Sequence, residues 1–406
     1  MLCRAETDVL MQSPIRVMVD ARMLIGRFAG VGRVVTRLVD ALVEQDGIKV
    51  IALCGCEAYL PWIGRKDIGV VTSSFRRADR TPCRRALWEE TVLPRIIRRA
   101  DVDVFHATWN SGVPALCPVP SALTIHDLIP WKNPKEHFAT VRQRSCYRYA
   151  VRASARRASY VTTVSEHVKR QALDILHLNP RRVLTVPNGV VVPDGPTVEP
   201  DPPGPPYGLY VGGYEARKNI AAVFAAMRRY WERYDRALEL RLTGFVGSLR
   251  GAAATAYRNL PGDAPVRFLG DIDDQELERQ YASAQLLLML SRDEGFGLPV
   301  LEAMAHGCPV VAAARAALPE VVGDAGLLVD PENADEISGA MRMLIADPDL
   351  RAKYVHRGRQ RARTFSWKAT ASQMRTVYER VLGKTDQSFA PPDRVGEPAS
   401  LGHTVA

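Results

Sequence analysis

Apolar residues in this chain fall mostly in short unbroken runs, each closed by glycine or a small polar residue and followed by a stretch of helical spacing. Ile15 to Asp20, Val50 to Leu53, Val102 to Phe105, Ala122 to Asp127, Tyr160 to Ser165 and Val183 to Val186 read as strands in the first half. Tyr207 to Val211, Leu238 to Thr243, Val266 to Leu269, Leu286 to Leu290 and Pro309 to Ala314 read as strands in the second. The runs are continuous rather than alternating, the mark of strands buried on both faces of a parallel sheet. Between them the 3.6-residue period predicts helices over Val34 to Val43, Val141 to Ala158, Glu166 to Leu176 with Ser165 as cap, Leu277 to Ala284, and Ala334 to Ile345. A basic helical region runs from Arg84 to Arg99, and a last helix is predicted over Phe365 to Tyr378. Strands alternating with helices predict an α/β fold with helices on both faces of its sheets.

Proline divides this pattern. The stretch 193–206 holds Pro193, Pro196, Pro200, Pro202, Pro203, Pro205 and Pro206, which favour extended backbone and exclude a regular ladder. At 406 residues the chain exceeds what one core usually serves. The expected division is a loose leader (1–13), a first domain (14–192), a linker (193–206), a second domain (207–364), a closing helix (365–383) and a disordered tail (384–406). No run of eighteen apolar residues occurs, and the first residues lack a basic segment leading into an apolar one.

The candidate chemistry gathers where apolar runs end. After Leu290 comes Glu294-Gly-Phe-Gly297, then Pro299 where a helix starts and Gly307 where it stops. A glycine loop at the carboxyl end of a strand is where open α/β sheets bind ligands. Glu294 on the loop and Glu302 on the helix are spaced to reach two hydroxyl clusters of one extended ligand; a solvated Glu302 and purely turn-forming glycines are the plain alternative. In Tyr207-Gly-Leu-Tyr-Val-Gly-Gly-Tyr-Glu-Ala-Arg-Lys-Asn219, Arg217 and Lys218 stand at a helix start and suit an anion. Gly26 to Arg33, with Gly30 and Gly32, forms another glycine loop after a strand, and by itself is as well read as a tight turn. His126-Asp127 ends a strand on the ligand side of its sheet; satisfying a buried carbonyl is the commoner role of a lone histidine.

The segment Glu294-Gly-Phe-Gly-Leu-Pro-Val-Leu-Glu-Ala-Met-Ala-His-Gly-Cys-Pro-Val310 resembles the donor-sugar motif of the retaining glycosyltransferases of family 4, whose GT-B fold sets two Rossmann-like domains face to face across a cleft. The likeness continues through Leu318 to Pro331 and covers the chain loosely from Ile15 to Leu382. It implies transfer of a hexose from a nucleoside diphosphate sugar to an acceptor hydroxyl, with retention and without a dedicated metal or other cofactor. It assigns His126 and Glu294 to catalysis, and Gly30, Gly32, Arg217, Lys218, Gly295, Phe296, Gly297, Leu298 and Glu302 to the donor. Within these, Glu294 holds sugar hydroxyls, Glu302 the ribose, and Lys218 with Arg217 the diphosphate. The family often has arginine where Gly213 stands, so a two-pronged clamp on the diphosphate is in doubt. The stretch from Tyr210 to Asn219 looks most like mannosyltransferases that use GDP-mannose in envelope polysaccharide or glycolipid synthesis. A UDP-sugar-dependent glucosyltransferase of the same family, a non-hydrolysing sugar-nucleotide epimerase and a non-catalytic sugar-nucleotide-binding subunit are the alternatives.

Charge adds a partner. Net charge is +9, and residues 1–195 carry 29 Lys and Arg against 18 Asp and Glu, while the remainder carries 25 against 27. The excess includes the cluster Arg84, Arg85, Arg95, Arg98 and Arg99, and a stripe at four-residue spacing, Arg144, Arg148, Arg152 and Arg156. Like charges along one helix face repel, so an anionic membrane surface is the expected neighbour, with a glycan or lipid-linked acceptor to give docking a purpose. No nucleic-acid recognition motif accompanies the charge. Seven scattered cysteines with no Cys-x2-Cys pair predict reduced thiols, no structural zinc and a cytoplasmic protein, peripheral on the inner face of the membrane.

Overall fold

The computed structural model describes residues 13–24, 30–56, 62, 64–193, 195, 204–244 and 249–385. The leader up to residue 12, Gly26 to Ala29 of the first glycine loop, most of the proline-rich stretch and the tail beyond 385 lie outside the described residues.

Two parallel sheets form the frame. The first contains β1 (Ile15–Asp20), β2 (Ile48–Gly55), β3 (Gly69–Ser73), β4 (Val104–Ala107), β5 (Ser121–Ile125), β6 (Tyr160–Thr163) and β7 (Val183–Thr185), in the order β3-β2-β1-β4-β5-β6-β7. The second contains β8 (Tyr207–Val211), β9 (Glu239–Thr243), β10 (Val266–Gly270), β11 (Leu286–Met289), β12 (Val310–Ala313) and β13 (Leu327–Val329), in the order β10-β9-β8-β11-β12-β13. The order reverses between β1 and β4 and between β8 and β11, and at such switch points the loops after the strands part to leave a crevice. Every residue of β4, β5, β8, β11 and β12 is buried, which is why these strands read as unbroken apolar runs.

The predicted helices are largely present. Ser165 caps the Glu166–Leu176 helix by accepting from the Val168 N–H at 3.1 Å. The first helix starts three residues earlier than its apolar spacing suggests, at Val31, with Gly30 before it at φ 57°. The basic region is two helices, Pro82–Thr91 and Leu93–Arg99, because Pro94 supplies no N–H to continue the first. Strands β3 and β13 and the Leu318–Val322 and Pro348–Arg363 helices had no clear signal in the apolar pattern.

Three further differences concern charge and sulfur. Cys83 and Cys146 are joined in a disulfide that ties the Pro82–Thr91 helix to the Val141–Arg157 helix, against the expectation of reduced thiols throughout; 63 residues separate the pair. Arg85 of the basic cluster is buried beside Glu89 at 3.7 Å rather than displayed. In the stripe, Arg148 and Arg152 lie over the Trp131 ring at 5.1 and 5.3 Å, and Arg148 donates to the Trp131 carbonyl; Arg144 is half-buried and Arg156 exposed. Among the described residues no helix is long and apolar enough to cross a membrane.

The closing helix, Trp367–Val381, belongs by packing to the first sheet. Ala371, Met374, Val377, Tyr378 and Val381 share a core with Val35, Leu38, Val39 and Leu42. The chain leaves the first half and returns to it at one place: the Val190 N–H donates to the Phe365 carbonyl at 2.7 Å. A side chain on Gly189 would put its Cβ 2.3 Å from the Trp367 nitrogen, so only glycine permits this approach.

Beneath the closing helix His106 is wholly buried, bridging the Tyr378 hydroxyl at 2.8 Å and the Thr124 hydroxyl at 2.7 Å. Burial, with a smaller push from His126, holds its pKa at about 3, and burial holds that of His126 at about 4. Both values lie below the ordinary one, so protonation favours the unfolded chain. The stability these rings contribute is complete above about pH 6.5 and is lost as pH falls toward those values. Each ring is expected to remove about 2 kcal/mol of stability between pH 7 and pH 5. Urea unfolding at the two pH values is the check. His106→Gln should shrink the difference by about that amount, and an unchanged difference would reject the assignment.

Candidate active site

The carboxyl ends of the two sheets face each other across a cavity of about 1040 Å³, lined from both halves. From the second half, β8 runs into Gly212, and a Cβ on Gly244 after β9 would lie only 3.0 Å from the Gly212 nitrogen. A 3-10 turn, Ala216–Lys218, follows, with Asn219 in the left-handed region before the Ile220–Arg233 helix. Arg217 and Lys218 therefore sit one turn before the helix rather than inside it, and both aim at the loop after β11. There the Glu294 Oε1 atom forms an ion pair with Lys218 Nζ at 2.6 Å and accepts from Arg217 Nη1 at 3.5 Å. Glu294 is buried. Two cations sharing one carboxylate leave this cluster of three side chains with one positive charge in excess and two donors ready for a larger anion. At Gly213, where the family often has arginine, the Glu215 carboxylate closes the space instead: a Cβ there would meet its Oε2 at 2.4 Å.

Gly295 is where the halves meet. A Cβ at this position would fall 2.1 Å from the His126 carbonyl oxygen, and the Gly295 carbonyl accepts from the Ser165 hydroxyl at 2.7 Å. Around this point Lys132 pairs with Asp293, and the Glu320 carboxylate accepts from the backbone N–H groups of Glu166 and His167 at 2.8 and 3.2 Å. Gly297, at φ 106°, turns the loop into the Leu298–Ala305 helix, which carries Pro299 in its first turn.

His126 follows β5. Its Nε2–H donates to the Thr108 carbonyl at 2.8 Å, which fixes the tautomer and leaves Nδ1 with a lone pair; its depressed pKa keeps the ring neutral at pH 7. The carbonyl-satisfying role and a place on the cavity wall thus coincide in one residue. Asp127 beside it also lines the cavity. Burial pushes its carboxyl upward, reinforced by Glu294 and Asp293 and opposed by the Ile129 N–H and Arg217.

Glu302 lines the cavity from the helix. Its Oε1 accepts from Arg33 Nη1 at 2.9 Å and its Oε2 from the Tyr281 hydroxyl at 3.0 Å, while Arg33 Nη2 reaches Asp274 at 2.7 Å. Of the residues singled out in the sequence, Gly30, His126, Arg217, Lys218, Glu294, Gly295, Phe296, Gly297, Leu298 and Glu302 all line this one cavity. Gly32 does not: it lies inside the first turn of the Val31–Val43 helix, its carbonyl accepting from Thr36. Arg33 and Asp274 were not singled out, and Asp127 was named only as the neighbour of His126 at the strand end. Arg33 adjoins the first glycine loop, but nothing in its spacing shows that it turns toward the cleft. Among the described residues no group of three or more His, Cys, Asp and Glu side chains is placed to hold a metal ion.

Residues 28–192 match the family described as Glycosyltransferase Family 4, and residues 196–361 match Glycosyl transferases group 1. The O-antigen chain mannosyltransferase B of Escherichia coli is 36% identical over 173 residues, 43% of this chain and 45% of that protein. The phosphatidyl-myo-inositol mannosyltransferase of Mycolicibacterium smegmatis is 32% identical over 229 residues, 54% of this chain and 57% of that protein. The chain thus spans about half the length of these curated relatives. Among solved structures, sucrose-phosphate synthase of Thermosynechococcus elongatus superposes with a TM-score of 0.69 at 21% identity, covering 91% of this chain and all of that one. An Anabaena protein solved in complex with UDP-glucose gives 0.65 at 17% identity, over 90% of this chain and all of that one. At these identities the structural likeness is one of fold.

Proposed function

Since the chain belongs to the glycosyltransferases of group 1 and family 4 and has their GT-B fold, we propose that it moves a hexose from a nucleoside diphosphate sugar to an acceptor hydroxyl, with retention at the anomeric carbon. The observation that carries this reading is the buried Glu294 held between Lys218 and Arg217, with His126 facing it from the other half. When a donor enters, its diphosphate takes over the two cations. Glu294, relieved of them, accepts from the sugar hydroxyls. As the bond from the anomeric carbon to the diphosphate oxygen breaks, negative charge grows on the departing phosphate, where Lys218 and Arg217 supply the compensating charge. The acceptor oxygen bonds the same face of that carbon, and its proton passes to the leaving phosphate. His126, neutral and fixed by Thr108, offers Nδ1 to a hydroxyl of sugar or acceptor. On this reading residues 14–192 with 365–383 form the acceptor side and residues 207–364 the donor side.

The favoured donor is GDP-mannose and the favoured setting envelope polysaccharide or glycolipid synthesis. The motif from Tyr210 to Asn219 and the two mannosyltransferase relatives support this reading. The structural relative solved with UDP-glucose favours the second reading, a UDP-sugar donor. Thermal shift against a panel of sugar nucleotides separates them, because a ligand at a hundred times its dissociation constant adds about 2.7 kcal/mol of stability. Transfer from the responding donor should survive exhaustive chelation. Abolition by chelator and rescue by magnesium or manganese would reject the metal-independent reading.

We also propose that the basic first half docks on an anionic membrane. Arg84, Arg95, Arg98, Arg99, Arg142 and Arg156 are exposed, and the neighbouring Leu87, Val141 and Tyr149 expose 65%, 71% and 63% of their surface. Each basic side chain near an anionic leaflet is worth about 1 kcal/mol. Sedimentation with phosphatidylserine vesicles should show binding that fades with salt and drops when Arg84, Arg98, Arg142 and Arg156 become glutamine. Equal binding to neutral vesicles, or none to either, would reject the docking.

A further inference from the structure

Arg33 stands on the first half but makes its side-chain contacts with the second. One guanidinium nitrogen holds Glu302 at 2.9 Å and another holds Asp274 at 2.7 Å. The Tyr281 hydroxyl occupies the remaining oxygen of Glu302, so both oxygens are engaged within the protein. Glu302 and Arg33 line the same large cavity, and both also line the smaller space behind it beside Tyr281 and His306.

A guanidinium and a pair of neighbouring hydroxyls ask the same thing of a carboxylate: two oxygens accepting in one plane. They compete for it. We propose that Arg33 is a latch between the two halves that gives up Glu302 to the ribose of the entering nucleotide, so that the donor binds by exchange. The proposal rests on the ribose role assigned to Glu302. Three features make the exchange workable. The Arg33 side chain is 30% exposed, so water can satisfy the N–H groups it frees. Its other partner, Asp274, is 71% exposed and remains as a resting place for the released charge. Glu302, only 17% exposed, passes from one hydrogen-bonding partner to another and is not left unpaired. Once the ribose is in place the ligand itself spans the two halves, and the latch is no longer needed.

The sign of one substitution tests this. Titration calorimetry with GDP and with UDP should show Arg33→Gln binding the preferred nucleotide three- to tenfold tighter than the wild type. A cation merely attracting the diphosphate would show the opposite. Arg33→Lys keeps the charge but loses the two-pronged bridge, and should also bind tighter. The gain should vanish when Arg33→Gln is combined with Glu302→Gln. Hydrogen exchange in the first turn of the Val31–Val43 helix should be faster in empty Arg33→Gln than in the empty wild type, and equal once nucleotide is bound. If Glu302→Gln weakens the nucleotide while Arg33→Gln leaves it unchanged or weaker, the latch is overturned and the ribose role stands. If Glu302→Gln leaves affinity unchanged, the ribose role falls and the exchange falls with it.

Discussion

Replacing Lys218 by alanine is expected to lower turnover by about 100- to 1,000-fold, in the range seen when one preorganised donor is removed from a site of developing negative charge. The Nζ atom lies 2.6 Å from Glu294 and its side chain is 13% exposed, so its charge is poorly screened by water. Arg217, at 3.5 Å from the same carboxylate and 20% exposed, shares the work but sits farther off, and Arg217→Ala should cost less. The departure at Gly213 sharpens the expectation. With no arginine there and the Glu215 carboxylate beside it, fewer cations remain to compensate for a lost Lys218. Single-turnover rates at saturating donor are the measurement. A rate within threefold of the wild type, in a variant with unchanged circular dichroism, would remove Lys218 from the proposed mechanism.

The second large effect divides the two carboxylates. Glu294→Ala should reduce turnover about 100-fold while changing donor affinity little, because the carboxylate acts on the sugar as the anomeric bond breaks. Glu302→Ala should instead weaken donor binding about 10- to 100-fold, the worth of a hydrogen-bonded charge at roughly 1.5 to 3 kcal/mol. Its turnover at saturation should stay near the wild-type value. The contrast follows from position: Glu294 is clasped by the cations, whereas Glu302 lies farther along the cavity against Tyr281 and Arg33. Steady-state kinetics with varied donor reads both numbers, and near-normal values in both variants would sink the assignment.

The second half was the more legible in the sequence because its central strands β8, β11 and β12 are wholly buried and the loop after β11 is marked by glycines and a proline. Leu286 to Leu290 is unmistakable since all five residues are buried in the structure. The glycines and Pro299 that follow mark the loop and helix start, where left-handed backbone and a missing N–H leave few alternatives. Strand β3 escaped notice because it is an edge strand, Gly-Val-Val-Thr-Ser, with only Ser73 fully buried. The Pro348–Arg363 helix escaped because its buried residues are Gly358 and Ala362, which make no apolar stripe. It fits there because small residues let it approach the Leu298–Ala305 helix, a Cβ on Gly358 coming within 3.2 Å of Met304. The donor-side carboxylates and cations could be read from their motifs. From the first half His126 and Gly30 could also be read, but that Arg33 crosses to Glu302 and Asp274 could not, since that depends on how two sheets far apart in sequence are set face to face.

The close approach of the chain at Gly189 and Val190 to Phe365 and Trp367 bears on how such a protein can be rebuilt. Because the chain departs and returns side by side, everything between those residues is an insertion into a first unit whose two ends are already joined by the core shared with the closing helix. A relative's second unit could therefore be exchanged as one cassette, with seams at about residues 190 and 365. A first unit ending at residue 192 would lack Met374, Val377 and Tyr378, and would present the bare apolar side of the Val31–Val43 helix to water. Any chimera that treats the two units as beads on a string should aggregate, whereas one that keeps the last helix with the first strands should fold.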